Sequence, residues 1–295
     1  MSKSSTHIEN FKAYFESLLS MIRELPQDRK WDVIRKSLYV AIIDSIGQIA
    51  FPKQQNANAQ RFRRTILDFG KWPHATFFSL PHLHQYLKVH QDRYFKQLEI
   101  KLVKPAYAVW LDERESRRRL PWIDLPGLRQ VLSLDADIPE NIVLHLVKKD
   151  NLDKVKSIKR FQHYALLYSY RNVLLHSLRI PGLNDRPEEM NYPYYEEYAV
   201  TDRADGKLSI FHDLVYSTTF FDTLSERVLK NATLYFQNNE VDPYKQLQSS
   251  VALYWIDGLN QQLGGLGDKL VSMIRDHPRR QHPGGQSLPP DHWSR

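Results

Sequence analysis

Apolar residues at helical spacing fill the first fifty positions and commit them to a helical hairpin. Ile8, Phe11, Phe15, Leu18 and Ile22 step by three and four, which places them on one face of a helix. Pro26 closes that helix, and a second is predicted to begin near Asp28 or Lys30. It carries Trp31, Ile34, Leu38, Ile42, Ile46 and Ile49 at the same spacing. It stops at Phe51-Pro52, because a residue before proline is driven out of helical geometry. A link this short makes the two helices antiparallel neighbours. Their stripes need further helices to cover them, so an all-α bundle is expected.

The rest of the chain supplies those helices unevenly. Residues 53–60 are polar and read as a loop, and Arg61 to Gly70 as a short helix. Pro73, Pro81, Pro105, Pro121, Pro126 and Pro139 cut the following stretch into short pieces. Residues 53–150 are therefore expected to be an irregular insertion of short helices and loops, with a strand near Tyr107 to Leu111. One long helix is predicted from about Asp153 to Leu178, closed by Pro181-Gly182. The Asp205-Gly206 pair predicts a small β-hairpin flanked by Tyr194–Val200 and Lys207–Phe211. A helix over His212 to Gln237 and one or two more over 243–275 should finish the fold. Residues 1–276 then form a single helical domain, and 277–295, which lack periodicity, a disordered tail.

Composition narrows the class. With 42% hydrophobic and 25% charged residues, the chain has enough apolar side chains to bury a core. It has no cysteine, which excludes a disulfide framework, a thiolate zinc site and a cysteine nucleophile. No apolar run reaches the ~18–20 residues that cross a bilayer. The first residues lead into an amphipathic helix and not an apolar signal segment, the pattern expected of a cytoplasmic protein. A net charge of +7 is compatible with an acidic partner such as nucleic acid.

The segment Tyr168-Ser169-Tyr170-Arg171-Asn172-Val173-Leu174-Leu175-His176 puts three polar groups on a helix that is otherwise apolar nearly all round. Placing them on a packed surface costs free energy unless they pair or face a cleft. Asn172 and His176 stand four apart and can touch. Arg171 projects ~140° from His176 at ~100° per residue, so one helix does not bring both to one atom. They can line a shared cleft if a second copy of the helix packs opposite. The plain alternative is a core histidine and arginine, each satisfied by neighbours, since this spacing arises often by accident.

Arg171-Asn172-x-x-x-His176, late in a helical chain, resembles the R-x(4–6)-H motif of the HEPN superfamily (higher eukaryotes and prokaryotes nucleotide-binding). A polar residue directly after the arginine, here Asn172, is the form common in its ribonucleases. The two N-terminal helices and a long helix after the motif also resemble a HEPN bundle, over residues 8–50 and 153–238. The resemblance implies a metal-independent endoribonuclease, with no cofactor, acting as a homodimer with a composite site. Such enzymes attack with the RNA 2′-hydroxyl, leaving a 2′,3′-cyclic phosphate and a 5′-hydroxyl. It also implies a toxin or antiviral defence effector, held in check by an antitoxin or a defence-complex partner. The residue types suit that chemistry: histidine exchanges protons near neutrality, and arginine offers fixed donors to phosphorane oxygens. Many members carry a further polar or acidic residue on an early helix, and Asp44, with Ser37 and Gln48 along the same stripe, corresponds. A solvent-facing aspartate on an amphipathic helix is the plain reading of Asp44. The alternative function is a non-catalytic HEPN-type module that binds RNA, a nucleotide or a partner protein.

Basic clusters supply candidate phosphate contacts. The run from Lys148 to Arg160 holds six basic against two acidic residues, and Lys154, Lys156, Lys159 and Arg160 are the expected RNA surface because they adjoin the motif helix. Arg61, Arg63, Arg64 and Arg117, Arg118, Arg119 form two more clusters, which a solvated helix face explains equally well. His74, His82, His84 and His90 suggest a metal, but His82 and His84 diverge by ~160° on a helix. No completing ligand spacing follows, so no metal is expected. Gly264-Gly265-x-Gly267 lacks the preceding strand and the Lys-Ser/Thr pair of a nucleotide loop.

Overall fold

The structure is a computed structural model that describes residues 3–52, 58–90, 92–118, 130–132, 134–147, 152–177, 190–201 and 208–248. Its fold is all-α in class, with eleven α-helices and a small sheet among the described residues. The N-terminal hairpin is α1 (Lys3–Glu24) and α2 (Arg29–Ala50). Next come α3 (Asn58–Thr65), running into a π-helical turn at Ile66–Gly70, and α4 (Leu80–His90). α5 (Lys96–Leu98) leads through a second π turn, Glu99–Val103, into α6 (Lys104–Arg118). β1 (Gln130–Leu132), α7 (Glu140–Leu146), α8 (Leu152–Lys159) and α9 (His163–Ser177) follow. β2 (Tyr194–Thr201), β3 (Leu208–Val215), α10 (Thr218–Asn238) and α11 (Pro243–Gln248) complete the described chain.

α10 lies against α1, α2 and the first π turn, and their buried faces form part of one apolar cluster that continues into α4, α6 and α9. Phe11, Phe15, Leu19 and Ile22 of α1, Tyr39, Ile43 and Ile46 of α2 and Phe221, Val228 and Phe236 of α10 all belong to that cluster and are buried, with Phe11 edge-on to Phe236 at 5.1 Å. The stripe foreseen for α2 holds from Ile42 onward. In its first half the helix turns Ile34 and Leu38 outward and buries Arg35, Lys36 and Tyr39 instead. α3 approaches α2 closely: a Cβ on Gly47 would stand 2.3 Å from Thr65 Oγ1. Glycine is what permits this spacing.

Three local expectations are corrected. The long helix foreseen from 153 to 178 is two helices, α8 and α9. Between them Gln162 forms a β-bridge with Phe78, Phe161 O accepts from Ser79 N at 3.0 Å, and His163 N donates to Phe77 O at 3.0 Å. Partners from a distant segment compete with the helix here, among them Thr76 O, 86 residues away and bonded by the Gln162 side chain, and 160–162 leave it. The strand foreseen near Tyr107 to Leu111 is the middle of α6, whose Trp110 is buried against Tyr195 at 5.9 Å. His212 to Val215, foreseen as helix, extend β3, because β2 offers backbone partners as far as Tyr194↔Val215 and Tyr195↔Leu214. The helix then starts at Thr218, where the Ser217 side chain accepts from Phe220 N at 2.8 Å.

The hairpin foreseen around Asp205-Gly206 is present as β2 and β3, and β1 adds antiparallel to β2, giving the order β1-β2-β3. Residues 148–151, Arg119, Leu178 to Glu189 and everything after Gln248 lie outside the described residues. The nucleotide-loop comparison at Gly264 and the tail at 277–295 fall there. Among the described residues no helix is long and apolar enough to cross a membrane.

Candidate functional site

Asp44, in the second half of α2, faces α9 and meets Arg171 across 127 residues of sequence. Arg171 Nε donates to Asp44 Oδ2 at 2.8 Å, and Nη2 donates to the same oxygen. Its third contact is from Nη1 to Asn172 Oδ1 at 2.8 Å. The pair is largely enclosed, with side-chain exposures of 12% for Arg171 and 14% for Asp44. Burial raises the Asp44 carboxyl above its ordinary range, and Arg171, then Arg61, pull it partly back. Three of the five guanidinium N–H groups are engaged this way, which leaves one on Nη1 and one on Nη2 for a further acceptor. The Arg171 guanidinium also lies 5.6 Å from the Tyr168 ring centre, one turn earlier on α9.

α9 buries His163, Tyr164, Leu167, Tyr170 and Leu174, and this face sets the direction of everything else on the helix. Arg171 lies beside that face, and Asn172 is half-buried. His176 stands in the last turn and is exposed. No described residue hydrogen-bonds its ring. The structure thus brings Asp44, Arg171 and Asn172 together, while His176 reaches solvent one turn beyond Asn172. Ser37 Oγ is buried without a hydrogen-bond partner among the described residues, and Gln48 is exposed.

The four residues expected to contact RNA, at 154–160, stand near the start of α9, away from Arg171 and His176. Lys154 pairs with Asp92, which holds that carboxyl below its usual range, and Lys159 pairs with Glu140 at 2.9 Å. The Arg160 guanidinium lies over the rings of Tyr86 at 4.7 Å and Phe161 at 4.8 Å. Lys156 is exposed. α8 sits at the start of α9, and at 1.5 Å per residue the start of α9 lies roughly 12 Å from Arg171 and roughly 20 Å from His176. Lys154, Lys159 and Arg160 fasten α8 and the turn after it to the loop at Asp92, α7 and α4.

The histidines considered for metal have other neighbours. His84 stacks on Tyr107 at 3.9 Å, His90 tilts against Tyr86 at 4.4 Å, and His74 meets the edge of Phe77 at 5.0 Å. Among the described residues no group of three or more His, Asp or Glu is placed to hold a metal ion.

One cluster escaped the sequence reading. Asp137 accepts from His163 Nε2 at 2.6 Å, from Leu80 N at 2.8 Å and from the Tyr195 hydroxyl at 2.9 and 3.0 Å. Ser79 Oγ lies 2.6 Å from the Tyr195 hydroxyl and 2.7 Å from His82 Nδ1. Burial, then the Asp137 carboxylate, pushes the Tyr195 phenol well up, so it remains a donor. His163 and Asp137 side chains are fully enclosed, at 0% exposure each, so no substrate reaches them. The network joins α4, the turn before α7, α9 and β2, and it fixes the motif helix to the insertion. No periodicity marks such a cluster; its members come from four separate segments.

No family model matches the chain, and neither a curated protein nor a solved structure matches it.

Proposed function

We propose that this protein is a metal-independent endoribonuclease of HEPN type that acts as a homodimer. The observation that carries the reading is Arg171, held by Asp44 and Asn172 with donors to spare, on the same helix as an exposed His176. In the proposed reaction the RNA 2′-oxygen attacks the adjacent phosphorus. A bond from phosphorus to O2′ forms, and the bond to O5′ breaks. His176 takes the 2′-hydroxyl proton, and the imidazole of the second chain protonates the departing O5′. The products are a 2′,3′-cyclic phosphate and a 5′-hydroxyl. Arg171 donates to the equatorial oxygens as negative charge builds on them. Asp44 positions Arg171, and Asn172, whose carbonyl oxygen accepts from Arg171, carries an amide nitrogen that can act as a further donor.

Helical geometry supports a dimer, since Arg171 and His176 of one chain diverge by about 140° around α9. A two-fold partner supplies the same residues from the opposite side. Ile34 and Leu38, 44% and 41% exposed on the helix that carries Asp44, offer apolar surface that a second chain can cover. A cytoplasmic toxin or antiviral effector, restrained by an antitoxin or a defence-complex partner, is the setting this activity suits.

The tight Asp44–Arg171 pair favours a second reading, a non-catalytic RNA-binding module in which the arginine is structural. Cleavage of end-labelled RNA in EDTA by wild-type, Arg171→Ala and His176→Ala protein separates the two. The ribonuclease is expected to cut in EDTA, and each substitution to lower the rate on the order of 10²-fold or more. Cleavage that disappears in EDTA and returns with Mg2+, or that survives in both variants, contradicts the mechanism.

A further inference from the structure

Of the basic clusters, α3 has the geometry of a nucleic-acid surface at the motif. Phe62 is buried and meets Tyr168 of α9 at 5.6 Å, so α3 rests on the motif helix. Arg61 and Arg63 flank Phe62, each about 100° round the helix from it. Arg63 is exposed, and its guanidinium lies 4.8 Å over the ring of Tyr164. A guanidinium over an aromatic face keeps in-plane N–H donors with which it can meet a phosphate oxygen. Arg63 has no carboxylate partner among the described residues. Arg61 hydrogen-bonds the neutral side chain of Asn58 and acts electrostatically on Asp44. Arg64 differs from both: it pairs with Asp68 at 3.0 Å and lies over Phe51 at 4.0 Å.

Tyr164, Tyr168 and Arg171 are spaced four and three apart, so they share one face of α9. Arg63 marks the start of that row, Phe62 its middle, and Arg171 with Asp44 its end. The row spans roughly 10 Å of helix axis. At ~3.4 Å per nucleotide of a stacked strand, that is about three phosphates. The Lys154–Arg160 cluster lies beyond the start of this helix, with Lys154 and Lys159 in ion pairs.

We propose that Arg61 and Arg63 of α3 bind the phosphate backbone of single-stranded RNA and lead the strand along α9 to Arg171. The proposal rests on the reading of RNA as substrate, but it concerns binding and not cleavage. Backbone contact carries affinity without base preference, so the strand is tracked by charge and the cut position is set at Arg171 and His176.

The test is fluorescence anisotropy of a labelled single-stranded RNA against salt, with full-length His176→Ala protein. That background carries three further changes in turn: Arg61→Gln with Arg63→Gln, Arg61→Lys with Arg63→Lys, and Lys154→Gln with Lys156→Gln and Lys159→Gln. The glutamine pair on α3 is expected to weaken binding at least tenfold at low salt. It should also flatten the slope of log K against log salt by about 1.4, at ~0.7 per lost phosphate contact. The lysine pair keeps the charge and should recover most of that slope, which excludes a packing effect. The α8 triple change is expected to leave affinity within twofold. Unaltered affinity and slope in the α3 glutamine pair, a loss confined to the α8 protein, or failure of the parent to bind RNA each overturns the proposal. Binding that follows this pattern while wild-type protein leaves RNA uncut keeps the α3 surface and rejects the nuclease. Cleavage by wild-type protein with unchanged α3 binding does the reverse.

Discussion

Asp44 and Arg171 illustrate how much one pairing can decide. Each alone is a charge on a largely buried surface, which is costly. Together, with Asn172, they are satisfied, and the guanidinium is fixed in orientation. Burial still raises the Asp44 carboxyl above its ordinary range, so Arg171 only partly offsets the loss of water. Asp44→Ala would strand the arginine, and a loss of about 2–3 kcal/mol in urea unfolding is expected. Arg171→Met in the same chain should return most of it, because the uncompensated charge is gone. A change below about 0.5 kcal/mol, as for ion pairs on an open surface, would mean that the guanidinium finds water and that the pair is not enclosed. Asp44 was legible from the sequence only as a position on a helix face. Its partner lies 127 residues away, and no local pattern encodes that distance.

At the scale of elements, legibility followed the range of the forces. α1 and α2 were readable because the stripe that buries them is written within each helix. The hairpin was readable from its turn, but not its length, since β2 draws 212–215 into pairing. The break between α8 and α9 depends on Phe77 and Phe78, and the helical pattern runs through it unmarked. That break sets His163 against Asp137 and thereby anchors the motif helix. The histidines around it give the insertion a pH dependence. Burial lowers His82, and also His74 and His84, below the usual 6.5. Below about pH 6.5 the unfolded chain takes up protons that the folded chain resists, so stability present above that pH is lost as pH falls. Urea midpoints measured from pH 8 to pH 5 should decline on the acid side, and His82→Gln should flatten part of the decline. A profile level from 7 to 5 in the wild type would contradict the burial of these rings.

For the whole molecule, a helical core of α1, α2 and α10 carries an insertion that braces one end of the motif helix, while Arg171 and His176 lie toward the other. The all-α class was readable from periodicity alone. Which basic cluster lies beside the motif was not, because the Lys154–Arg160 run is near in sequence while α3 is near in space. The central proposal is that two chains complete one site, with Arg171 and His176 converging across a two-fold axis. The most direct measurement is specific RNA-cleaving activity across a dilution series, with mass in solution determined at each concentration. Activity per chain is expected to fall in step with the dimer fraction and to vanish with the monomer. A stable monomer that cleaves RNA at full rate at every dilution would contradict it, and both residues would then have to act within one chain.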